Sequence, residues 1–287
     1  MHHTSRLLVM LFALACQDTL AQELFDAHLH YTARDAARFP PTDIIRLLDE
    51  AGISHAAITS QPPALVERLV AAAPQRIAPL LGVYREPADK QRWMHDSTLP
   101  ERLAEQLESG HWRGIGELHL FAADRDSDVF RQVVRLAEQY RLPLLLHADP
   151  AVIDTVYKLA PELTVVWAHA GTFPYPDLVA DYLGRYPALH IDLSMRDERL
   201  ADGDGLRDDW YELMVVFPER VLVGVDTFST ARWESLPQHA ERIRQWLQVL
   251  PAGVAGRIAT GNAERLYLKK GPDTFFDQSD KTRLIKQ

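Results

Sequence analysis

A single cysteine, Cys16, stands in 287 residues, so no intrachain disulfide framework can hold this chain together. An excess of positive charge is also missing. The 31 Lys and Arg are outnumbered by 40 Asp and Glu, giving a formal net charge of -9 and a pI of about 5.7, which disfavours non-specific attraction to phosphate backbones or anionic lipid. The apolar stretch LLVMLFALAC is too short to span a bilayer. Nor is the chain short of apolar residues: hydrophobic side chains make up 47% and charged ones 25%, which excludes a disordered or disulfide-stapled class and leaves room for a large globular core.

The first residues need separating from the fold. MHHTSR supplies a positive start, the apolar stretch follows, and TLA precedes Gln22 as a small-residue cleavage signal. Met1–Ala21 therefore reads as a secretory signal peptide whose removal takes Cys16 with it, and an exported, periplasmic location follows as the expectation. ALAC offers a second reading, a lipoprotein anchored at Cys16, although Ala13 stands where a larger aliphatic residue is usual.

From Gln22 onward, apolar runs of strand length alternate eight times with longer segments of helical periodicity. The strand segments are LFDAHLH, SHAAITS, RIAPLLGVY, RGIGELHL, PLLLHAD, TVVWAHA, ALHIDLS and RVLVGVDT. Between them lie segments such as DIIRLLDEAG and DVFRQVVRLAEQY, with apolar residues three and four apart and Gly or Pro at the boundaries. Most strand runs are continuous rather than alternating, as parallel strands buried on both faces require. Eight such units predict an α/β fold, a (β/α)8 TIM barrel over residues 22–268, with 269–287 as a C-terminal extension. The irregular pieces REPADKQRWMHDST and MRDERLADGDG follow the third and seventh strands, on the side where barrel active sites sit.

Chemistry-bearing residues fall at the same ends. His28 and His30 close the first strand, Glu117 lies near the end of the fourth, His147 ends the fifth, His169 the sixth and Asp226 the eighth. In an extended strand, residues two apart share a face, so His28 and His30 converge, as do Glu117 and His119. All six strand-end residues share one rim of a closed barrel, in side-chain types that suit zinc and similar ions.

Through DAHLH, LLLHAD, VVWAHAG, HIDLS, VLVGVDT and TGNAERLY, in this order across nearly the whole of the chain after residue 21, the sequence resembles the amidohydrolase superfamily, and most closely its amidohydrolase-2 group. GIGEL adds a likeness to the TatD branch. The resemblance implies a divalent metal site of one or two ions, with His28, His30 and Asp226 holding a first ion, His147 and His169 a second, and Glu117 bridging them. It also implies a mononuclear alternative, in which His28, His30, His147 and Asp226 are the ligands and His169 meets substrate. No lysine occupies the fourth-strand position where some members carry a carbamylated one.

Either arrangement predicts metal-assisted hydrolysis of a small ester, lactone or amide. Asp226 takes the proton of the attacking water, and Glu117 acts beside it. Arg85, His119 and Arg196 are the substrate-binding candidates, the arginines as clamps for an anionic group. Trp93, Phe173, Tyr175, Phe228 and Trp233 are candidates for an apolar lining. The partner is thus a small molecule, with nucleic acid disfavoured. The competing readings are a mononuclear decarboxylase of an aromatic or unsaturated acid, a periplasmic binding protein without turnover, and a TatD-like nuclease.

Overall fold

A computed structural model describes residues 22–202 and 205–268. The predicted leader with Cys16 and the predicted extension 269–287 lie outside the described residues. Eight parallel strands run in chain order through one sheet: β1 (Leu24–Thr32), β2 (Ile53–Gln61), β3 (Ile77–Leu81), β4 (Gly114–Leu120), β5 (Leu144–Ala148), β6 (Val165–Trp167), β7 (Leu189–Asp192) and β8 (Val221–Leu222). Two backbone hydrogen bonds close the ring. Ala27 N–H donates to the Val223 carbonyl at 2.9 Å, and Asp226 N–H donates to the His28 carbonyl at 2.7 Å. Helices on the outside follow the strands, among them Pro41–Glu50, Asp128–Tyr140 and Leu236–Leu247. The expected (β/α)8 barrel is the observed fold.

The core has two layers. Leu29, Tyr31, Ile115, Leu118 and Leu120 point outward into the shell shared with the helices. Phe25, Ala27, Leu145, Val166 and Leu222 point inward and meet Ala263 and Tyr267 of the last helix, Asn262–Tyr267, which plugs the barrel floor. Asn262 ties that helix down by donating to the carbonyls of Pro218 and Val221, at 2.9 and 2.7 Å. This is the structural work of TGNAERLY.

Two irregularities turn chemistry into the barrel. The β1 register shifts between Asp26 and Leu29, so that Phe25 and Ala27 fill the floor while His28 and His30 face the mouth. The β4 register shifts between Gly116 and Leu118. Gly116 has φ of +130°, and a Cβ there would stand 2.4 Å from the Leu145 carbonyl, so this crossing point accepts only glycine.

The inner face of β7 carries His190 and Asp192, two residues apart. Burial pushes the His190 pKa down to about 4. The unfolded chain gains a proton there below about 6.5, whereas the folded protein resists until about 4, so stability falls as pH drops through that window. The accumulated loss is about 3 kcal/mol at full protonation. Denaturant titrations of His190→Gln between pH 7 and pH 4 are expected to show a shallower acid loss than the parent chain.

Candidate metal centre

Glu117 stands at the centre of the mouth with five imidazoles around it. His28 Nε2 is 3.7 Å and His169 Nε2 3.4 Å from its Oε1, and His147 Nδ1 is 3.3 Å from the same atom. His30 Nε2 at 3.3 Å and His119 Nε2 at 3.4 Å face Oε2. Asp226 completes the group, with Oδ1 3.3 Å from His30 Nε2 and Oδ2 3.7 Å from His169 Nε2. The six residues singled out on the strand ends are therefore brought together, with His119 as a seventh.

These side chains fit a bound cation. Ligands about 2.0–2.2 Å from a tetrahedral zinc ion lie about 3.3–3.6 Å from one another, close to the spacing around Glu117. Glu117 Oε1, His147 Nδ1 and Asp226 Oδ1 are buried without a hydrogen-bond partner among the described residues. Unpaired buried polar atoms are costly, and bound cations would satisfy them. Two trios share Glu117: His28 and His30 on one side, His119 and His147 on the other. His147 thus stands beside His119 in one trio, and it also shares the Glu117 Oε1 atom with His169, the partner that the resemblance implied.

Electrostatics agree. Burial raises the Glu117 carboxyl, but the surrounding imidazoles, through charge and hydrogen bonds, prevail and hold it well below the ordinary glutamate range. Burial lowers His28, yet Asp192, Glu117 and Asp226 together raise its proton affinity well above normal. A pocket that attracts a proton this strongly also attracts a divalent ion. His119 goes the other way, pushed by burial down to about 2, and is therefore a neutral ring.

The supporting groups were not evident in the sequence. Asp192, fully buried on β7, accepts from His28 Nδ1 at 3.1 Å and from the Ser194 hydroxyl. Ser194 Oγ lies 2.8 Å from His169 Nδ1. With both Nδ1 atoms committed to these partners, His28 and His169 turn their Nε2 atoms to the centre. Tyr84 lies 3.1 Å from His119 Nδ1 and accepts its backbone N–H at 2.7 Å. Thr227 accepts the His30 N–H and donates to the His30 carbonyl, both at 2.8 Å.

Strand-end carbonyls are taken up by large side chains. Trp93 donates to His119 O at 2.9 Å, Trp233 to His30 O at 3.0 Å and Trp167 to Ala148 O at 2.8 Å. Trp93 and Trp233 are therefore buried braces behind the site, correcting the expectation that they line a pocket. Arg196 donates to His169 O at 2.6 Å and Gly171 O at 2.9 Å, and Arg232 to Asp226 O at 2.7 Å and Val225 O at 2.6 Å. His169 and Asp226 both have left-handed backbones, with φ of 58° and 60°, so the arginines hold two residues whose conformation L side chains rarely adopt.

A cavity of about 430 Å³ opens over the centre. His119, Arg196, Phe228 and Lys90 line it. Arg85 does not; it is largely exposed and pairs with Asp89 at 3.4 Å and Asp96 at 3.6 Å. Lys90 is the cation that the third-strand loop brings to the cavity instead.

The amidohydrolase family model Amidohydro_2 matches residues 25–269. The chain belongs to the amidohydrolase family. Membership places it among the metal-dependent hydrolases and their decarboxylase relatives. Solved structures similar to this amidohydrolase include an amidohydrolase from Burkholderia multivorans with bound zinc. It is 18% identical over 87% of this chain and 100% of that one, with a TM-score of 0.59. A protein described as a probable 2-pyrone-4,6-dicarboxylic acid hydrolase from Acinetobacter baumannii, with citric acid bound, is 18% identical over 86% and 100%, with a TM-score of 0.57. A TatD homolog from Escherichia coli is 17% identical over 86% and 98%, with a TM-score of 0.60. A search among curated proteins finds no significant match. Among the described residues no helix is long and apolar enough to cross a membrane.

Proposed function

We propose that this amidohydrolase is an exported hydrolase with a two-ion centre, zinc by its ligand chemistry, that cleaves a small ester, lactone or amide. The observation that carries the reading is Glu117, a central carboxylate with five imidazoles and Asp226 gathered around it, more ligands than one tetrahedral ion takes. His28, His30 and Asp226 would hold one ion, His147 the other, and Glu117 both. His169 and His119 complete the two halves. A divalent ion bound there supplies a water acidified towards a pKa of about 7 and a polarised scissile carbonyl.

The chain's own residues do the rest. Asp226 Oδ1, beside His30 Nε2 and without a hydrogen-bond partner among the described residues, would take the water's proton and return it to the leaving group. Tyr84 fixes the His119 ring at the cavity wall, and Asp192 fixes His28. The closed floor under Phe25 and Tyr267 leaves the mouth as the approach. Export rests on the segment Met1–Ala21, with an anchor at Cys16 as the variant.

Elemental analysis of the purified protein is expected to return about two equivalents of metal, falling to about one in His147→Ala. One equivalent in the parent chain, with carbon dioxide released from an acid substrate, would instead establish the decarboxylase reading, which Lys90 at the cavity favours as a partner for the carboxylate.

A further inference from the structure

Resting on the hydrolase reading, we infer that the substrate is an amphiphilic anion: a carboxylate at one end, an apolar body at the other, and the scissile bond between them. The barrel mouth has two unlike sides. In an eight-strand ring, β3 and β7 stand opposite each other across the centre. The arc after β2 and β3 is polar: Thr59, Gln61, Tyr84 and Lys90 line the cavity there. Lys90 makes no ion pair within 4 Å among the described residues, while its neighbours Arg85 and Arg92 are both paired with carboxylates.

The opposite arc is apolar. Met195 after β7 and Phe228 after β8 line the same cavity, with 40% and 58% of their surfaces exposed. Phe173 and Tyr175 follow β6 and are likewise exposed, just beyond Gly171, whose carbonyl Arg196 holds. Arg196 does not break this side, because its guanidinium is turned onto the carbonyls of His169 and Gly171. Met195 and Phe228, left exposed on the cavity wall, indicate an apolar occupant. Its continuity with the metal centre makes that occupant the body of the substrate, and Lys90 across the mouth fixes the charged end. Glu117 and Asp226 line the same cavity, where the scissile carbonyl would sit.

The test uses the metal-loaded protein and ketones that cannot be hydrolysed. In titration calorimetry 4-oxodecanoate is expected to bind at least about tenfold tighter than 4-oxopentanoate, which lacks the long chain, and than decan-4-one, which lacks the charge; tenfold is the worth of about two buried methylenes. Lys90→Met should erase the advantage over decan-4-one, and Phe228→Ser should shrink the advantage over 4-oxopentanoate. Both positions are exposed, so neither change threatens the fold. Equal affinities, or preferences indifferent to both substitutions as for a carboxylate sitting on the metal alone, would overturn the inference. Hydrolysis of hexyl hydrogen succinate, run in parallel, tests the underlying reading separately. Its absence alongside the expected binding pattern would reject hydrolysis and leave the amphiphilic specificity standing.

Discussion

Asp226→Asn is expected to lower kcat by about 10²- to 10⁴-fold, the usual contribution of a positioned proton acceptor. The geometry isolates this carboxylate for that role. Its backbone N–H is committed to His28 O and its carbonyl to Arg232, so the residue cannot rotate away. Its Oδ1 has no hydrogen-bond partner among the described residues and sits beside His30 at the floor of the cavity. Asparagine is the informative replacement because it keeps the shape and tolerates the left-handed backbone, φ of 60°, that Asp226 adopts. It removes only the charge and the capacity to take a proton. Metal content must be measured on the same sample, since Asp226 is also a proposed ligand. A kcat within a few-fold of the parent at full metal loading would remove Asp226 from proton transfer.

The parts of this site that could be read from the chain were those governed by local periodicity. Eight alternations fixed the barrel, and the barrel alone assembles His28, Glu117, His147, His169 and Asp226, which span 199 positions of sequence, on one rim. Two-residue spacing correctly paired His28 with His30, and Glu117 with His119. What periodicity could not supply was the identity of the residues behind the rim. Asp192 and Ser194 lie in a motif, HIDLS, that signals a buried strand, and nothing local says that their partners are 164 and 25 residues away. The third-strand loop shows the same limit: Arg85 and Lys90 are equivalent as charges in the sequence, and only the turn Pro87–Gln91 decides that Asp89 neutralises one while the other reaches the cavity. The sixth and eighth strands ended earlier than their apolar runs, at Trp167 and Leu222, because His169 and Asp226 lie beyond the regular ladder in left-handed conformations. A carrier of chemistry at a strand end is thus placed by the strand but aimed by a break in it.

Asp192→Asn is expected to weaken zinc affinity by about 10- to 100-fold, the usual cost of removing a group that orients metal-binding histidines. Burial raises this carboxyl, but the charge and hydrogen bond of His28 hold its pKa down to about 2, so it is an acceptor throughout the neutral range. One oxygen takes the His28 ring proton; the other takes Ser194, whose hydroxyl oxygen receives His169 in turn. An amide breaks this chain of donors, because its NH2 turned toward His28 would require Nδ1 to accept, moving the ring proton to Nε2, where it blocks the metal. Ser194→Ala removes the His169 partner but leaves the Asp192 carboxylate on His28 Nδ1, and should cost less. Chelator competition gives the affinity directly, and unfolding midpoints report whether the buried pocket survives. Excess zinc provides the decisive contrast with the catalytic substitution: it should restore much of kcat in Asp192→Asn, whose defect is affinity, and none in Asp226→Asn at full loading, whose defect is proton transfer. A folded Asp192→Asn protein that binds zinc as tightly as the parent would show that the two histidines are oriented by packing alone.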